Sequence, residues 1–293
     1  MSELALEIKD INTSFKNFRL KNISMSVEKG TIMGIIGENG SGKTTTIKTI
    51  MNMYYSDKGK IMVYGYDHIE DEVKVKNIIG YVAAEEYFAN NFSMKFLEDN
   101  FSKLYDEWDK ELFNRLVTKW KLRKTEPFST YSKGMKTKAM LILALAHRPK
   151  LLLLDEPTAG LDPIAKNEVL DILRDFVSDG EHSVIFSTHI TTDLDKVADA
   201  VTLISDGRVI LSDTMDVLED RYIKISGDEN ILKDYTQFLI GENVNCGQTM
   251  ALTFRENIDK FPKDSVSISI PDIEDIMVYN VRACEKTHAK AEL

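Results

Sequence analysis

The segment GENGSGKTT, which begins at Gly37, is the feature that most limits how this chain can fold. It follows directly on the apolar run at 32–36, which is typical of a buried strand. Its glycines allow backbone dihedral angles that a side chain would forbid, so successive N–H groups can point at one anion. A helix behind the loop adds the positive end of its dipole. The spacing G-x-x-x-x-G-K-T therefore predicts a phosphate-binding loop between a strand and a helix of an α/β fold.

Two side chains of this segment suit a nucleoside triphosphate. Lys43 would reach the terminal phosphates, and the Thr44 hydroxyl would take one position around Mg²⁺. A glycine-rich turn without a ligand is the alternative, and the combined strand, loop and helix context disfavours it. The predicted nucleotide-binding residues are Gly37, Glu38, Asn39, Gly40, Ser41, Gly42, Lys43, Thr44 and Thr45.

The composition excludes several classes of protein. With 293 residues, 43% of them hydrophobic and 29% charged, the chain suits a soluble globular protein of two domains, or of one large and one smaller domain. A net charge of −10 disfavours a broad basic surface, so no nucleic-acid partner is expected. Two distant cysteines without metal spacing indicate a reducing compartment. The longest apolar run, at 139–146, is too short to span a membrane, so we expect another chain to supply any membrane part.

Hydrophobic periodicity predicts the elements of the first two thirds of the chain. Segments 4–8 and 23–27 alternate apolar and polar residues, as half-buried antiparallel strands do. A helix is expected over 44–54. From about residue 87 the chain becomes charged, with apolar residues at three- and four-residue spacing, which predicts a helical subdomain over about 87–148. A nucleotide-binding domain is therefore expected over 1–212.

The pattern weakens after the turn at Asp206-Gly207. The remaining chain predicts the order β-α-β-β-α, with strands near 221–226, 250–254 and 266–270 and a last helix over 272–284. We therefore expect a small α+β accessory domain over 213–285 and a frayed tail over 286–293.

The motif LLLLDEPT ends a wholly apolar run with two carboxylates. Asp155 and Glu156 would stand at the carboxyl edge of a parallel sheet, where ligands bind in open α/β folds. Asp155 suits the carboxylate on the magnesium side, and Glu156 suits the group that polarises an attacking water. Taken alone, such a pair is as often a helix N-cap cluster. Beside a phosphate loop, the metal and catalytic roles are favoured.

Two further motifs are weak when taken alone. YSKGMK, at 131–136, places a serine and a glycine where a helix starts, and a hydroxyl, N–H groups and the helix dipole can bind an anion there. A plain serine-capped helix explains this motif better if nothing else is considered. In STH, His189 follows an apolar strand, and a lone histidine at a strand end is most often structural.

Together these motifs resemble those of the ATP-binding-cassette (ABC) ATPases. GENGSGKT is similar to the phosphate loop of that family, YSKGM to its signature motif, LLLLDEPTAGLD to its second acidic motif and STH to its switch histidine. Order and spacing agree over about 4–212. The resemblance implies a parallel P-loop sheet core with an antiparallel β subdomain and a helical subdomain, to which the tail adds a small α+β C-terminal extension. It also implies that Phe15, in NTSFKNF, stacks on adenine.

The resemblance implies a head-to-tail dimer with two ATP molecules between the subunits. A homodimer with two equivalent sites and a heterodimer with a related chain both satisfy it. Asp162 would lie in a loop at the dimer contact. The signature residues of one chain would complete the site of the other, and they are Ser132, Lys133, Gly134 and Met135.

Catalysis in such a dimer would depend on positioning and charge neutralisation. Lys43 and Mg²⁺ would stabilise the γ-phosphate, Glu156 would orient water, and His189 would clamp the γ-phosphate. The metal ligands would be Thr44, Asp155 and, as a hypothesis of our own, Glu85.

Two positions depart from the family pattern. The family usually has a glutamine after its third strand that touches magnesium and senses the transport subunit, whereas this chain has Ala84 there. Glu85, one place further on, is our candidate for the missing oxygen ligand. Lys133 stands where glycine is commoner in the signature, and a lysine is electrostatically compatible with a partner's phosphate.

Three functions are compatible with an ABC ATPase. The first is the ATPase subunit of a membrane transporter, cytoplasmic and peripheral on the inner face of the cell membrane, whose helical subdomain engages a separate integral membrane subunit. The second is a soluble ABC protein acting on ribosomes, although such proteins usually carry two cassettes. The third, a DNA-repair or chromosome ATPase, would need a long coiled coil for which the motifs leave no room. The YSKGM signature, the IGYV segment followed by acidic residues and the C-terminal PDIEDIMVYNVR resemble those of bacterial exporters of drugs or antimicrobial peptides, and this resemblance implies an exporter.

Overall fold

The computed structural model describes residues 3–85 and 87–291, the last six of them by their backbone alone. The first quarter of the chain alternates strands with short helices. Its elements are β1 (Leu4–Ser14), β2 (Arg19–Glu28), β3 (Ile32–Ile36), α1 (Lys43–Ile50), β4 (Lys58–Val63), β5 (Tyr66–Asp67), α2 (Glu72–Ile78) and β6 (Ile79–Val82).

Three helices and then a run of βα units make up the middle of the chain. The helices are α3 (Met94–Phe101), α4 (Lys110–Lys119) and α5 (Lys133–Ala146). After them come β7 (Leu151–Asp155), α6 (Pro163–Val177), β8 (Ser183–Thr188), α7 (Thr191–Val197), β9 (Ala200–Ser205) and β10 (Arg208–Thr214).

The C-terminal extension, which we define as residues 215–291, contains its own small sheet. Its elements are α8 (Met215–Arg221), β11 (Tyr222–Asp228), α9 (Glu229–Leu232), β12 (Leu239–Asn245), β13 (Gln248–Phe254), β14 (Val266–Ser269) and α10 (Ile273–Ala291). We call the preceding part, β1 to β10, the cassette.

The cassette contains two sheets of different kinds. A four-stranded antiparallel sheet has the order β2-β1-β4-β5, and a six-stranded sheet has the order β10-β9-β3-β8-β7-β6. In the larger sheet β9, β3, β8, β7 and β6 run parallel, and only β10 is antiparallel. Every residue of β3 and β7 is buried, which explains their continuous apolar sequences. The predicted α/β fold is confirmed.

Two hydrophobic clusters cover the two faces of the larger sheet. One lies on the side of the antiparallel sheet and α1, and includes Ile35, Ile47 and Leu153. The other holds α5, α6 and α7, and extends through Ile276 and Tyr279 into α10. The C-terminal extension is therefore packed onto the cassette and adds a small core of its own, made by Ile225, Leu232, Ala251 and Phe261.

The differences from the sequence prediction lie mostly at element ends. The helix after the phosphate loop ends at Ile50 and not at residue 54, because Asn52 takes a left-handed conformation with φ 54°. The sequence prediction missed α8 and β12 in the C-terminal extension. The prediction of a frayed tail over 286–293 was wrong for residues 286–291, which form the end of α10, and residues 292 and 293 lie outside the described part. Over the described residues, none of the helices is long and apolar enough to cross a membrane.

Candidate functional site

A cavity of about 670 Å³ opens at the carboxyl ends of β3 and β7, which we call the phosphate-loop cavity. This is where an open parallel sheet binds ligands, because the loops that leave neighbouring strands meet there. The lining residues come from six separate segments of the chain. They are Phe15, Phe18, Asn39, Gly40, Gly42, Lys43, Thr44, Thr45, Tyr54, Ala84, Glu156, Ala159 and His189.

Two glycines of the loop stand where a side chain does not fit. A Cβ on Gly37 would lie 2.1 Å from the carbonyl oxygen of Ile204, and Gly42 has φ 120° with Leu20 packed 2.9 Å from where its Cβ would be. The hydroxyl of Ser41 is buried without a hydrogen-bond partner among the described residues. A tight loop with an unsatisfied buried donor at its centre fits a phosphate group.

Lys43 is almost fully buried, with 6% of its side chain exposed. Its ammonium donates hydrogen bonds to the carbonyl oxygens of Gly37 (2.8 Å) and Glu38 (3.1 Å), and its Nζ lies 3.7 Å from a carboxylate oxygen of Glu156. Burial lowers the pKa of Lys43, and the carboxylates of Glu156 and Asp155 oppose that effect. A buried cation at the cavity wall is suited to an anionic ligand with several charges.

Asp155 joins the phosphate loop to the strand beside it. Its Oδ1 accepts hydrogen bonds from the hydroxyls of Thr44 (3.0 Å) and Ser187 (2.6 Å). Asp155 and Ser187 also face each other in the register of β7 and β8. A carboxylate and a hydroxyl at this distance form an oxygen donor set that fits Mg²⁺, with room in the cavity for water and phosphate ligands.

Glu156 occupies a strained position directly after β7. Its φ of 51° lies in the left-handed region, which costs on the order of 1–3 kcal/mol in a residue with a side chain. Its N–H donates to both the carbonyl oxygen (3.2 Å) and the hydroxyl (3.0 Å) of Ser187. Its Oε2 lies 2.8 Å from Nδ1 of His189. The strain therefore aims a carboxylate, held by a histidine, into the cavity.

An aromatic wall closes the other end of the cavity. Phe15 and Tyr54 lie with ring centroids 5.0 Å apart and planes at 71°, and Phe18 lines the cavity beside them. An exposed ring face in this position suits stacking on a nucleobase. Phe18 and Tyr54 were missed by the sequence analysis, because only the ends of β1 and α1 bring them here.

The signature residues lie elsewhere. Ser132 caps α5, accepting a hydrogen bond from the N–H of Met135 (3.3 Å), and none of 132–135 is among the residues described as lining the cavity. Lys133 extends its ammonium towards Gly160, where a Cβ would lie 2.7 Å from it. Asp162 caps α6 by accepting from Ile164 and Ala165 (3.0 Å each), and these N–H groups lower its pKa.

The structure around Ala84 does not support the prediction that Glu85 is a metal ligand. Ala84 lines the cavity, whereas Glu85 is exposed and is not among the lining residues in the described part of the chain. Glu85 as a metal ligand therefore stays a prediction. Ala159 and Ser187 were also missed, although Ala159 stands three residues after Glu156 and Ser187 two residues before His189, within the same motifs.

Comparison with known proteins agrees with this geometry. The sequence profile of the family described as ABC transporter matches residues 20–159. The chain is 32% identical over 206 residues to the ABC transporter ATP-binding protein YtrB of Bacillus subtilis (strain 168), which covers 70% of each chain. It is 30% identical over 211 residues to the linearmycin resistance ATP-binding protein LnrL of the same organism, covering 70% of this chain and 68% of LnrL.

A solved structure shares the fold. It is described as the ATP binding subunit of an ABC transporter, and it superposes with a TM-score of 0.67 at 26% identity, covering 73% of this chain and 92% of its own. The motifs, the cavity that they form and these similarities lead to one conclusion: the chain belongs to the ABC transporter family as an ATP-binding protein.

Proposed function

We propose that this protein hydrolyses ATP with Mg²⁺ as the nucleotide-binding subunit of an ABC exporter, on the cytoplasmic face of the cell membrane. The observation that carries the proposal is that Lys43, Thr44 and Glu156 line one cavity, with Asp155 hydrogen-bonded to Thr44 directly behind its wall. The resistance function in the name of LnrL supports export over import.

The residues of the cavity divide the chemistry between them. Lys43 binds the terminal phosphates, Thr44 and Asp155 hold Mg²⁺, and Phe15 stacks on the base. Bound Mg²⁺ supplies neutralisation of the charge that develops on the phosphate oxygens. Glu156 accepts a hydrogen bond from the attacking water and orients it, and His189 fixes the carboxylate that does so.

Assembly follows from the separation of the signature from the cavity. Ser132 and Lys133 lie at the exposed N-terminus of α5, where a hydroxyl, a cation and a helix dipole face outwards. In a head-to-tail dimer, homomeric or heteromeric, these groups contact the nucleotide of the other subunit. Asp162, which caps the neighbouring helix, lies at the same contact.

An apolar groove supports a membrane-embedded partner. A cavity of about 540 Å³ lies between the larger sheet and the helical subdomain, and Tyr87, Phe101 and Leu143 are among its lining residues. Tyr81 also lines it, and burial together with nearby Asp155 raises the pKa of that phenol to about 12. Ala83 lines the groove and the next residue, Ala84, lines the phosphate-loop cavity, so the groove adjoins the site. We propose that it receives a cytoplasmic segment of the separate membrane subunit.

The test uses a variant that holds ATP without cleaving it. Glu156→Gln keeps the shape of the side chain but cannot polarise water, so phosphate release should fall at least about 100-fold while ATP binding is retained. Hydrolysis at the wild-type rate in this variant would show that Glu156 has another role.

The partner is identified with the same variant. Tagged Glu156→Gln protein, loaded with ATP and Mg²⁺, is used to capture partners from detergent-solubilised membranes of its native host, with a nucleotide-free sample as the control. ATP-dependent recovery of a polytopic membrane protein supports the exporter. Recovery of ribosomes instead supports the second candidate, a soluble ABC ATPase that acts on the translation machinery.

A further inference from the structure

A buried hydrogen bond connects the loop after β7 with helix α7. The hydroxyl of Thr158 donates to Oδ2 of Asp193 over 2.7 Å, and the two residues are only 1% and 0% exposed. Neither belongs to the phosphate-loop cavity. A pair of polar side chains sealed from water in this way holds a fixed geometry, because leaving either group unsatisfied is costly.

Asp193 has a second partner on a third element. Its Oδ1 lies 2.8 Å from the ammonium of Lys166 on α6. A buried carboxylate needs such a counter-charge, and the ion pair leaves Oδ2 free to accept from Thr158. Asp193 therefore joins α7, α6 and the loop that precedes α6.

The placement of this bond relative to the chemistry is the basis of the inference. Thr158 stands between Glu156 and Ala159, which both line the cavity, and Asp193 stands four residues after His189. The Glu156–His189 contact of 2.8 Å joins the same two segments, 156–158 and 189–193. Two bonds, one at the wall of the phosphate-loop cavity and one buried, therefore connect the two loops that carry Glu156 and His189.

The strained backbone of the loop after β7 makes a second hydrogen bond of this kind necessary. Glu156 has φ 51°, and the chain turns immediately, with the N–H of Ala159 donating to the carbonyl oxygen of Glu156 over 3.2 Å. A strained turn keeps its conformation only where its surroundings enforce it. The hydrogen bonds that the N–H of Glu156 donates to Ser187 hold one end of the turn, and the Thr158–Asp193 bond holds the other.

We propose that Asp193 is a positioning residue for ATP hydrolysis, acting through Thr158 to set where the Glu156 carboxylate stands relative to His189 and the γ-phosphate. The inference rests on the proposed ATPase function. A small displacement of a catalytic group slows the chemical step without altering the contacts that bind substrate, so kcat is affected and ATP affinity is not.

The decisive variant is Thr158→Val, which removes the hydroxyl, keeps the shape and leaves Asp193 paired with Lys166. We expect kcat to fall about tenfold, with the Kd for ATP within about twofold of wild type. Thr158→Ser keeps the hydroxyl and should restore kcat. The matched control is Thr253→Val in the C-terminal extension, which also deletes one buried hydroxyl bond, to the carbonyl oxygen of Phe238 at 2.8 Å.

Asp193→Asn, and the double variant that combines it with Thr158→Val, distinguish a positioning role from a packing role. Since both residues act through one bond, the double variant should be no slower than the slower single variant, and the unfolding free energies should be non-additive. If kcat of Thr158→Val stays within about twofold of wild type, or falls only in step with ATP affinity, the positioning role is overturned.

The outcomes distinguish a failure of the proposed function from a failure of the positioning role. If the wild-type chain releases no phosphate from ATP, the proposed function is wrong, and the positioning role is wrong with it. Wild-type hydrolysis that Glu156→Gln abolishes and Thr158→Val leaves intact overturns the positioning role alone.

Discussion

Two lysines, one in the cassette and one in the C-terminal extension, show opposite uses of charge. Burial lowers the pKa of Lys43, although Glu156 and Asp155 oppose that effect, so the site disfavours the charge it contains. Lys224 donates to both carboxylate oxygens of Asp275 on α10, at 2.7 and 2.9 Å, and this pairing raises its pKa. In the cassette, the buried charge of Lys43 lowers stability but lies at the candidate ligand site. In the extension, the charge of Lys224 joins β11 to α10.

Backbone strain shows the same contrast. Glu156 and Cys246 have nearly equal φ angles, 51° and 50°. Cys246 lies in the two-residue turn between β12 and β13, where positive φ is ordinary. Glu156 lies at a strand end in the cavity, held by Ser187 and His189. An unusual angle indicates function only where buried polar groups enforce it.

Replacement of Lys43 is the strongest test of this contrast. Lys43→Met should weaken ATP binding about 100-fold, because a buried cation that contacts the phosphates is lost. The free energy of unfolding without nucleotide should fall by less than in Lys224→Met, since burial already opposes the charged form of Lys43 and offsets part of the lost contacts. Titration with a fluorescent ATP analogue and urea unfolding measure the two effects.

Lys224→Met is the matched variant and should behave in the opposite way. It should lower the free energy of unfolding by about 1 kcal/mol, because it breaks a partly buried ion pair, and it should leave ATP affinity unchanged. If Lys43→Met lowers the free energy of unfolding more than Lys224→Met does, Lys43 stabilises the fold, and the proposed division between a ligand-binding and a structural lysine is wrong.

The sequence predicts the cassette better than the extension, and the reason is physical. Strands β3 and β7 are buried on both faces, so their apolar runs are unambiguous. Strand β12 was missed because a bulge between Ile240 and Glu242 breaks its alternation. Gly241 at this bulge lies so close to α10 that a Cβ would stand 2.2 Å from the carbonyl oxygen of Tyr279, a contact no local pattern reveals.

The candidate site divides in the same way. The loop, Asp155 and Glu156 follow from motifs whose spacing is set by the ligand. Tyr54 and Phe18 reach the cavity only because α1 ends early and β1 packs beside the loop, and Thr158–Asp193 depends on contacts between segments 35 residues apart. Tertiary contacts of this kind leave no periodic signal in the sequence.

Two exposed phenylalanines give a test of intermediate size. Phe15 in the cassette is 37% exposed and packs on Tyr54, whereas Phe254 in the extension is 38% exposed and stacks on Tyr222. Phe15→Ala should weaken ATP binding about tenfold through lost stacking, with little dependence on the base when GTP replaces ATP.

Phe254→Ala is the control, because it removes a ring of the same exposure from a cavity of the extension, about 380 Å³ in volume. ATP affinity should not change. Equal losses of affinity in both variants would mean that the effect of Phe15 is transmitted through the fold and not through contact with the base.

The smallest effect concerns the strained turn of the extension. Cys246 and Gly247 have φ 50° and 78°, the two positive angles of a type I′ turn, for which Asn-Gly is the preferred pair. Cys246→Asn should therefore raise the free energy of unfolding by about 0.5 kcal/mol and leave ATP hydrolysis unchanged. Urea unfolding with and without ATP measures the change in the free energy of unfolding.

Glu156→Asn, which suits the same φ equally well, should keep the fold and lose ATP hydrolysis. If Cys246→Asn lowered the free energy of unfolding, the positive φ at Cys246 would not be that of an ordinary turn. If Glu156→Asn kept its ATPase activity, the positive φ at Glu156 would not serve to position a catalytic carboxylate.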